Sequence, residues 1–310
     1  MRTVLIITKL GSVLAVVGTA VAGCDTAGGE PAGKRGDRLR VVATTMQLQD
    51  FARQVGGHRV EVTGILDADA EAHEYEPTPS DAEAVAGADV VVSNGANLDG
   101  WLDDLLEQAG AEAPRVDATR GVPLLPTEEE GFPGDPHAWH DPSLAKRMVA
   151  NLAAGLARAD PLGRAAYRRN AEAYGESIDR MAAKIRREFA SVPPTRRKLV
   201  TSHDAFGYFA RAYDVEVVGS VLPTVTTESE PSAQQIRRLV EEIRAQGVTT
   251  VFTEKALEPR LERRVAEEAG ARVSTSLYAD ALGPPDSGAE TFVEAELANA
   301  RAMLSAWTAR

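Results

Sequence analysis

The sequence predicts an α/β protein of two lobes, each with a parallel sheet flanked by helices, joined by one long helix. Three observations predict it. Short apolar strand patterns alternate with amphipathic, helix-length segments in both halves of the chain. Between the halves, apolar residues recur at three, four and seven without a break. The chain has 310 residues, 44% hydrophobic, 26% charged and 5% aromatic, which suits a soluble globular protein of two lobes better than one.

The N-terminus comes first. Arg2 begins a short basic region, and Val4 to Ala22 is apolar and small apart from Thr8, Lys9, Ser12 and Thr19. This reads as a secretory signal over 1–23, too short and interrupted for a comfortable membrane span. It closes on Val21-Ala22-Gly23-Cys24, which resembles the bacterial lipobox, where the cysteine is lipidated and becomes the first mature residue. The chain's single cysteine stands there; the bland alternative is a free thiol beside an ordinary cleavage site. No disulfide can form within a monomer. Asp25 to Arg38 is rich in Gly, Ala and charge, so 24–38 is expected to be a lipidated, flexible tether. The folded part is expected outside the cytoplasmic membrane, anchored to it through Cys24.

An N-terminal lobe follows over 39–160. Leu39 to Thr45 is a strand pattern, then Leu48, Phe51, Ala52 and Val55 mark a helix that Gly56-Gly57 stops. Val60 to Leu66 and Ala88 to Ser93 are strands, and Trp101 to Gln108 is a short helix. Ala72 to Ser80, with two prolines, reads as a loop. Pro142 to Arg158 is one helix, and Asp160-Pro161 starts the next. Tyr167, Tyr174, Ile178, Met181, Ile185 and Phe189 stripe a connecting helix over 161–192. In the C-terminal lobe, 193–310, strands are expected at Lys198 to Ser202, Val215 to Val218, Thr249 to Thr253 and Arg272 to Ser274, with helices between and a last one from Glu290. No internal repeat is visible.

Net charge is −12, which makes nucleic acid a poor partner. Of the five histidines, His73, His137 and His203 fall in loops that border strands or helices, as does Asp280 after the last strand. Ligands of open α/β sheets collect at such strand ends. Each residue alone is more often a solvated or hydrogen-bonded loop residue. No short-range metal spacing such as His-Glu-x-x-His is present, so spacing by itself leaves a metal site open.

Four segments change that. His73-Glu-Tyr-Glu-Pro-Thr-Pro-Ser-Asp, Asp135-Pro-His-Ala-Trp, Ser202-His-Asp-Ala-Phe-Gly-Tyr-Phe and Leu277-Tyr-Ala-Asp-Ala-Leu-Gly stand in the order found in the TroA-like metal-binding receptors of bacterial zinc and manganese ABC transporters. Thr227-Glu-Ser-Glu-Pro-Ser resembles a further segment of that family. The resemblance implies a metal site in the cleft between the lobes, formed by His73, His137, His203 and Asp280. It also implies partners: a permease and its ATPase, since this chain has no phosphate-binding Gly-x-x-x-x-Gly-Lys loop.

Three imidazoles and a carboxylate suit zinc. Glu254, after a strand, is the candidate to orient one of the histidines. His140 is expected near the site but not on the metal, and His58 at the surface. His203 at the third position favours Zn2+, because family members with glutamate there resemble manganese receptors. The short acidic stretch from Pro126 to Gly134 lacks the histidine-rich loop of many zinc members, which keeps Mn2+ open. A zinc hydrolase with an open metal position and a surface adhesin are the competing readings; no Ser-His-Asp or Cys-His arrangement favours an enzyme.

Overall fold

A computed structural model describes residues 38–309 apart from 69, 229 and 275. The expected leader over 1–23, Cys24 and the tether as far as residue 37 lie outside the described residues.

The first sheet is formed by β1 (Leu39–Ala43), β2 (Val60–Gly64), β3 (Val90–Ser93) and β4 (Arg115–Asp117), all parallel, in the order β2-β1-β3-β4. Around it lie α1 (Met46–Gly56), α2 (Pro79–Ala86), α3 (Leu102–Ala109) and α4 (Pro142–Ala159). Thr45 caps α1 and Gly57, at φ +55°, turns the chain out of it. Two departures from expectation are local. Pro79 is not in a loop but is the first residue of α2, behind a Thr78–Asp81 capping box. β4 is three residues long with one inward apolar side chain, Val116, too short to show a period.

α5 (Arg164–Phe189) carries the predicted stripe: Tyr167, Tyr174, Ile178, Met181, Ile185 and Phe189 are all buried. Its 26 residues span about 39 Å. Beyond it come β5 (Lys198–Thr201), α6 (Gly207–Tyr213), β6 (Glu216–Ser220), α7 (Ala233–Ala245), β7 (Thr250–Val251), α8 (Arg260–Ala269), β8 (Arg272–Val273) and α9 (Phe292–Thr308). β5 pairs with β6 and β7 with β8, and Phe252 N donates to Val200 O, which sets β7 beside β5. The order β6-β5-β7-β8 repeats that of the first sheet, a symmetry of topology that the residues do not display.

Alternation along the strands builds the layers. Val41, Ala43, Val90, Val92 and Leu199 face one central core shared with α1, α4, α5 and α9. Val42 and Val91 face α2 and α3, and Val200 faces α7 and α8. α9 returns across both halves: Phe292 packs edge-on against Phe51 of α1, and Trp307 Nε1 donates to Lys198 O of β5.

Candidate metal centre

Each of the four expected residues sits in a loop that other elements pin. Trp101 Nε1 donates to Ala72 O, fixing the residue before His73. Tyr208 OH of α6 donates to Asp135 O, and Asn94 Nδ2 to Pro136 O, fixing the segment before His137. His203 follows β5, where Thr201 Oγ1 donates to its carbonyl. Asp280 lies between Ala279, whose carbonyl accepts from Gln47 Nε2 of α1, and α9.

These loops meet. One donor atom from each of His73, His137, His203 and Asp280 lies within 4.8 Å of the other three, and all four residues are buried. His137 Nε2 is 3.2 Å from His203 Nε2 and 3.2 Å from Asp280 Oδ1. Asp280 Oδ2 is 3.2 Å from His203 Nε2 and 3.6 Å from His73 Nε2. Four ligands about 2.0–2.1 Å from an ion stand about 3.3–3.4 Å apart if tetrahedral, so these separations fit one cation with little rearrangement. Neither ring nitrogen of His73 has a hydrogen-bond partner among the described residues. A buried imidazole left so is costly unless a ligand takes its lone pair.

Two carboxylates orient the rings. Glu254, just after β7, has Oε2 at 2.6 Å from His203 Nδ1 and accepts from His203 N with Oε1 at 2.9 Å. Asp135 Oδ1 is 2.7 Å from His137 Nδ1 and accepts from His137 N at 2.9 Å. With Nδ1–H donating to carboxylate, each Nε2 turns a lone pair toward the cluster. Asp135 escaped sequence reading although it stands in a quoted motif; the signal was a carboxylate two residues before a histidine, able to turn back onto that residue's amide.

The electrostatics are those of a cation site. Burial opposes a charge on His137, but Asp280 and Asp135 outweigh it and raise its pKa to about 9. Burial likewise opposes charge on His203, and Glu254 and Asp280 override it, raising its pKa well above the usual range. Burial works against the Asp280 carboxylate too, yet the facing His203 and His137 hold its pKa well below the ordinary value. Asp135, Glu254 and Asp280 put three carboxylates around three imidazoles, a pocket that calls for positive charge.

His140 falls outside this cluster. Its Nδ1 is 2.7 Å from Glu296 Oε1 of α9, its ring stacks on Phe206 at 4.7 Å and meets Trp139, and its contact with His137 is a backbone one, N donating to His137 O at 3.3 Å. Trp139 is buried beside His137, as packing. His58 is exposed.

Residues 41–306 match the family described as ZnuA, zinc-uptake complex component A, periplasmic. The chain belongs to this family. It is 33% identical over 258 residues to the iron-binding protein YfeA of Yersinia pestis, covering 83% of this chain and 82% of that one. To the manganese-binding lipoprotein MntA of Bacillus subtilis it is 32% identical over 273 residues, 85% of this chain and 87% of that one. Among solved structures it resembles the periplasmic zinc-binding protein TroA from Treponema pallidum, at 26% identity and TM-score 0.82, over 88% of this chain and all of that one. The chain is therefore an extracytoplasmic, metal-binding substrate-binding protein of an ABC transporter, not an enzyme. Such proteins bind a divalent metal and work with a permease and an ATPase. No helix among the described residues is long and apolar enough to cross a membrane.

Proposed function

We propose that His73, His137, His203 and Asp280 hold the transported ion, that Glu254 and Asp135 orient two of the histidines, and that the ion is zinc. The observation that carries this is the convergence of four buried donors within 4.8 Å of one another. Three nitrogens and one carboxylate match zinc's preference for few, borderline donors, whereas manganese favours more and harder oxygens. Four protein ligands leave no open position for an activated water, which fits cargo held for delivery rather than catalysis. We further propose that Cys24 carries the lipid that holds the protein at the membrane, supported by the lipobox-like segment and by relatives named as lipoproteins.

In this reading the lobes are 39–160 and 193–310, and α5, within the connecting segment 161–192, restrains their movement. α9 restrains it further, since it packs on α1 and on β5. The cleft thus closes only slightly on its cargo.

Manganese is the second reading. It is favoured by the relatives named for manganese and by Asp280, whose two oxygens both face imidazoles and can supply an extra hard donor. Growth separates the two: a deletion strain should fail under zinc limitation and be rescued by zinc at low concentration, with the His203→Ala gene giving no rescue. Failure only under manganese limitation would assign manganese. Elemental analysis of protein beginning at Asp25, purified without added metal, should find zinc near one equivalent.

A further inference from the structure

Leu162 stands on the turn between α4 and α5 and is 92% exposed, while Leu261 and Val273 are 37% and 40% exposed. The turn is held firmly. Asp160 accepts from Gly163 N, from Tyr167 OH and from the Arg59 guanidinium, and Pro161 fixes the backbone at its start. The leucine is therefore presented outward by a rigid support.

Arginines gather near this turn, on a chain of net charge −12. Arg158 lies in the last turn of α4, Arg164 begins α5 and Arg168 follows one turn on; all three border the groove between the two helices, which Glu172, Glu176 and Asp179 line farther along α5. Arg158 and Arg164 make no ion pair among the described residues, and Arg168 meets Glu172 only at 3.8 Å. Arg164 also opposes the helix dipole, in a first turn that holds no acidic residue.

This turn lies at the end of the first lobe where β1 begins, and in sequence the expected tether of 24–38 ends just before Leu39. Leu39 pairs in register with Val60, and the adjacent Arg59 bonds Asp160 at 2.6 Å. The histidine site lies beyond the opposite ends of the strands. We propose that the Leu162 turn is a docking surface for an anionic lipid bilayer. Leu162 enters the boundary between headgroups and acyl chains, and Arg158, Arg164 and Arg168 meet lipid phosphates. The inference rests on the membrane-tethered reading above. In this pose the metal site faces away from the bilayer, open to capture from solvent.

The test uses Asp37–Arg310, which forms a compact unit by itself and lacks Cys24, so that no lipid can account for binding. Its sedimentation is measured with phosphatidylcholine vesicles and with vesicles containing equal phosphatidylglycerol. The proposal predicts partition onto the anionic vesicles, weakened by salt and lowered about fivefold for each of Arg158→Ala and Arg164→Ala. Leu162→Glu should reduce binding to the level of neutral vesicles. Zinc titration of every variant should remain unchanged, which verifies folding. Equal partition onto both vesicle types, or full binding by a variant that combines Arg158→Ala with Arg164→Ala, would overturn the proposal. So would concentration-dependent pairing of copies that Leu162→Glu abolishes, which assigns the surface to a second copy. Loss of zinc binding in the parent protein with vesicle binding retained would count against the metal ligands and leave this surface standing.

Discussion

His137 and His203, 66 positions apart in the chain, bring their Nε2 atoms to 3.2 Å of one another. Each ring gives its Nδ1–H to a carboxylate, so the two lone pairs face across the gap. Only a proton or a cation between them removes the repulsion, and Asp280 supplies the negative charge that draws one in.

Removal of either imidazole should abolish tight binding. His137→Ala and His203→Ala are each expected to weaken zinc by more than about 100-fold, beyond the range of an orienting partner. Competition against a chromophoric chelator reads this directly, and far-ultraviolet circular dichroism verifies that the fold remains.

The orienting carboxylates should matter less but measurably. Glu254→Gln and Asp135→Asn keep the shape and remove the charge, and each should cost about 10–100-fold in affinity. An effect below twofold in both would mean that the rings are held by packing alone.

The pH dependence has a definite sign. Burial opposes the charge on His137, and Asp280 and Asp135 raise its pKa from 6.5 to about 9. Without metal, the stabilisation from that proton is present below pH 6.5 and is lost as pH rises through about 9. Metal binding must expel the proton, so affinity should climb with pH across the same window. Calorimetry in buffers of different ionisation enthalpy should show proton release at pH 7.5, and the gain in Tm on adding zinc should grow from pH 6.5 to pH 9.

Stability and binding should separate at Asp50. Its Oδ2 accepts from Tyr174 OH of α5 at 2.6 Å and from Phe292 N, the first residue of α9, at 3.0 Å. Asp50→Ala strands both donors in the interior and should cost about 2–4 kcal/mol in urea unfolding. Zinc affinity of the folded variant should stay near that of the parent, because no ligand touches this junction.

Much of this molecule is legible in its residues, for physical reasons that differ by element. Stripes such as Tyr167 to Phe189 declare a helix because burial on one side repeats over about six turns. β4 does not, since one buried valine has no period, and α2 hides behind Pro79 unless the Thr78–Asp81 box is weighed first. β7 and β8 are shorter than the expected stretches 249–253 and 272–274 because each keeps only two paired residues. The four convergent residues were reached through family resemblance, not through spacing: His73 and Asp280 are separated by most of the fold, and no local pattern encodes a meeting of loops. Glu254 was reached by its place after a strand. Asp135 was missed because its task depends on the turn that brings its oxygen back onto His137.

The most direct test of one ion held by four side chains is zinc K-edge X-ray absorption on the loaded protein. Three imidazoles and one carboxylate, at about 2.0–2.1 Å, are expected, with one imidazole missing in any loaded His203→Ala protein. A shell with fewer than three imidazoles in the parent, or a spectrum unchanged by that substitution, would contradict the account.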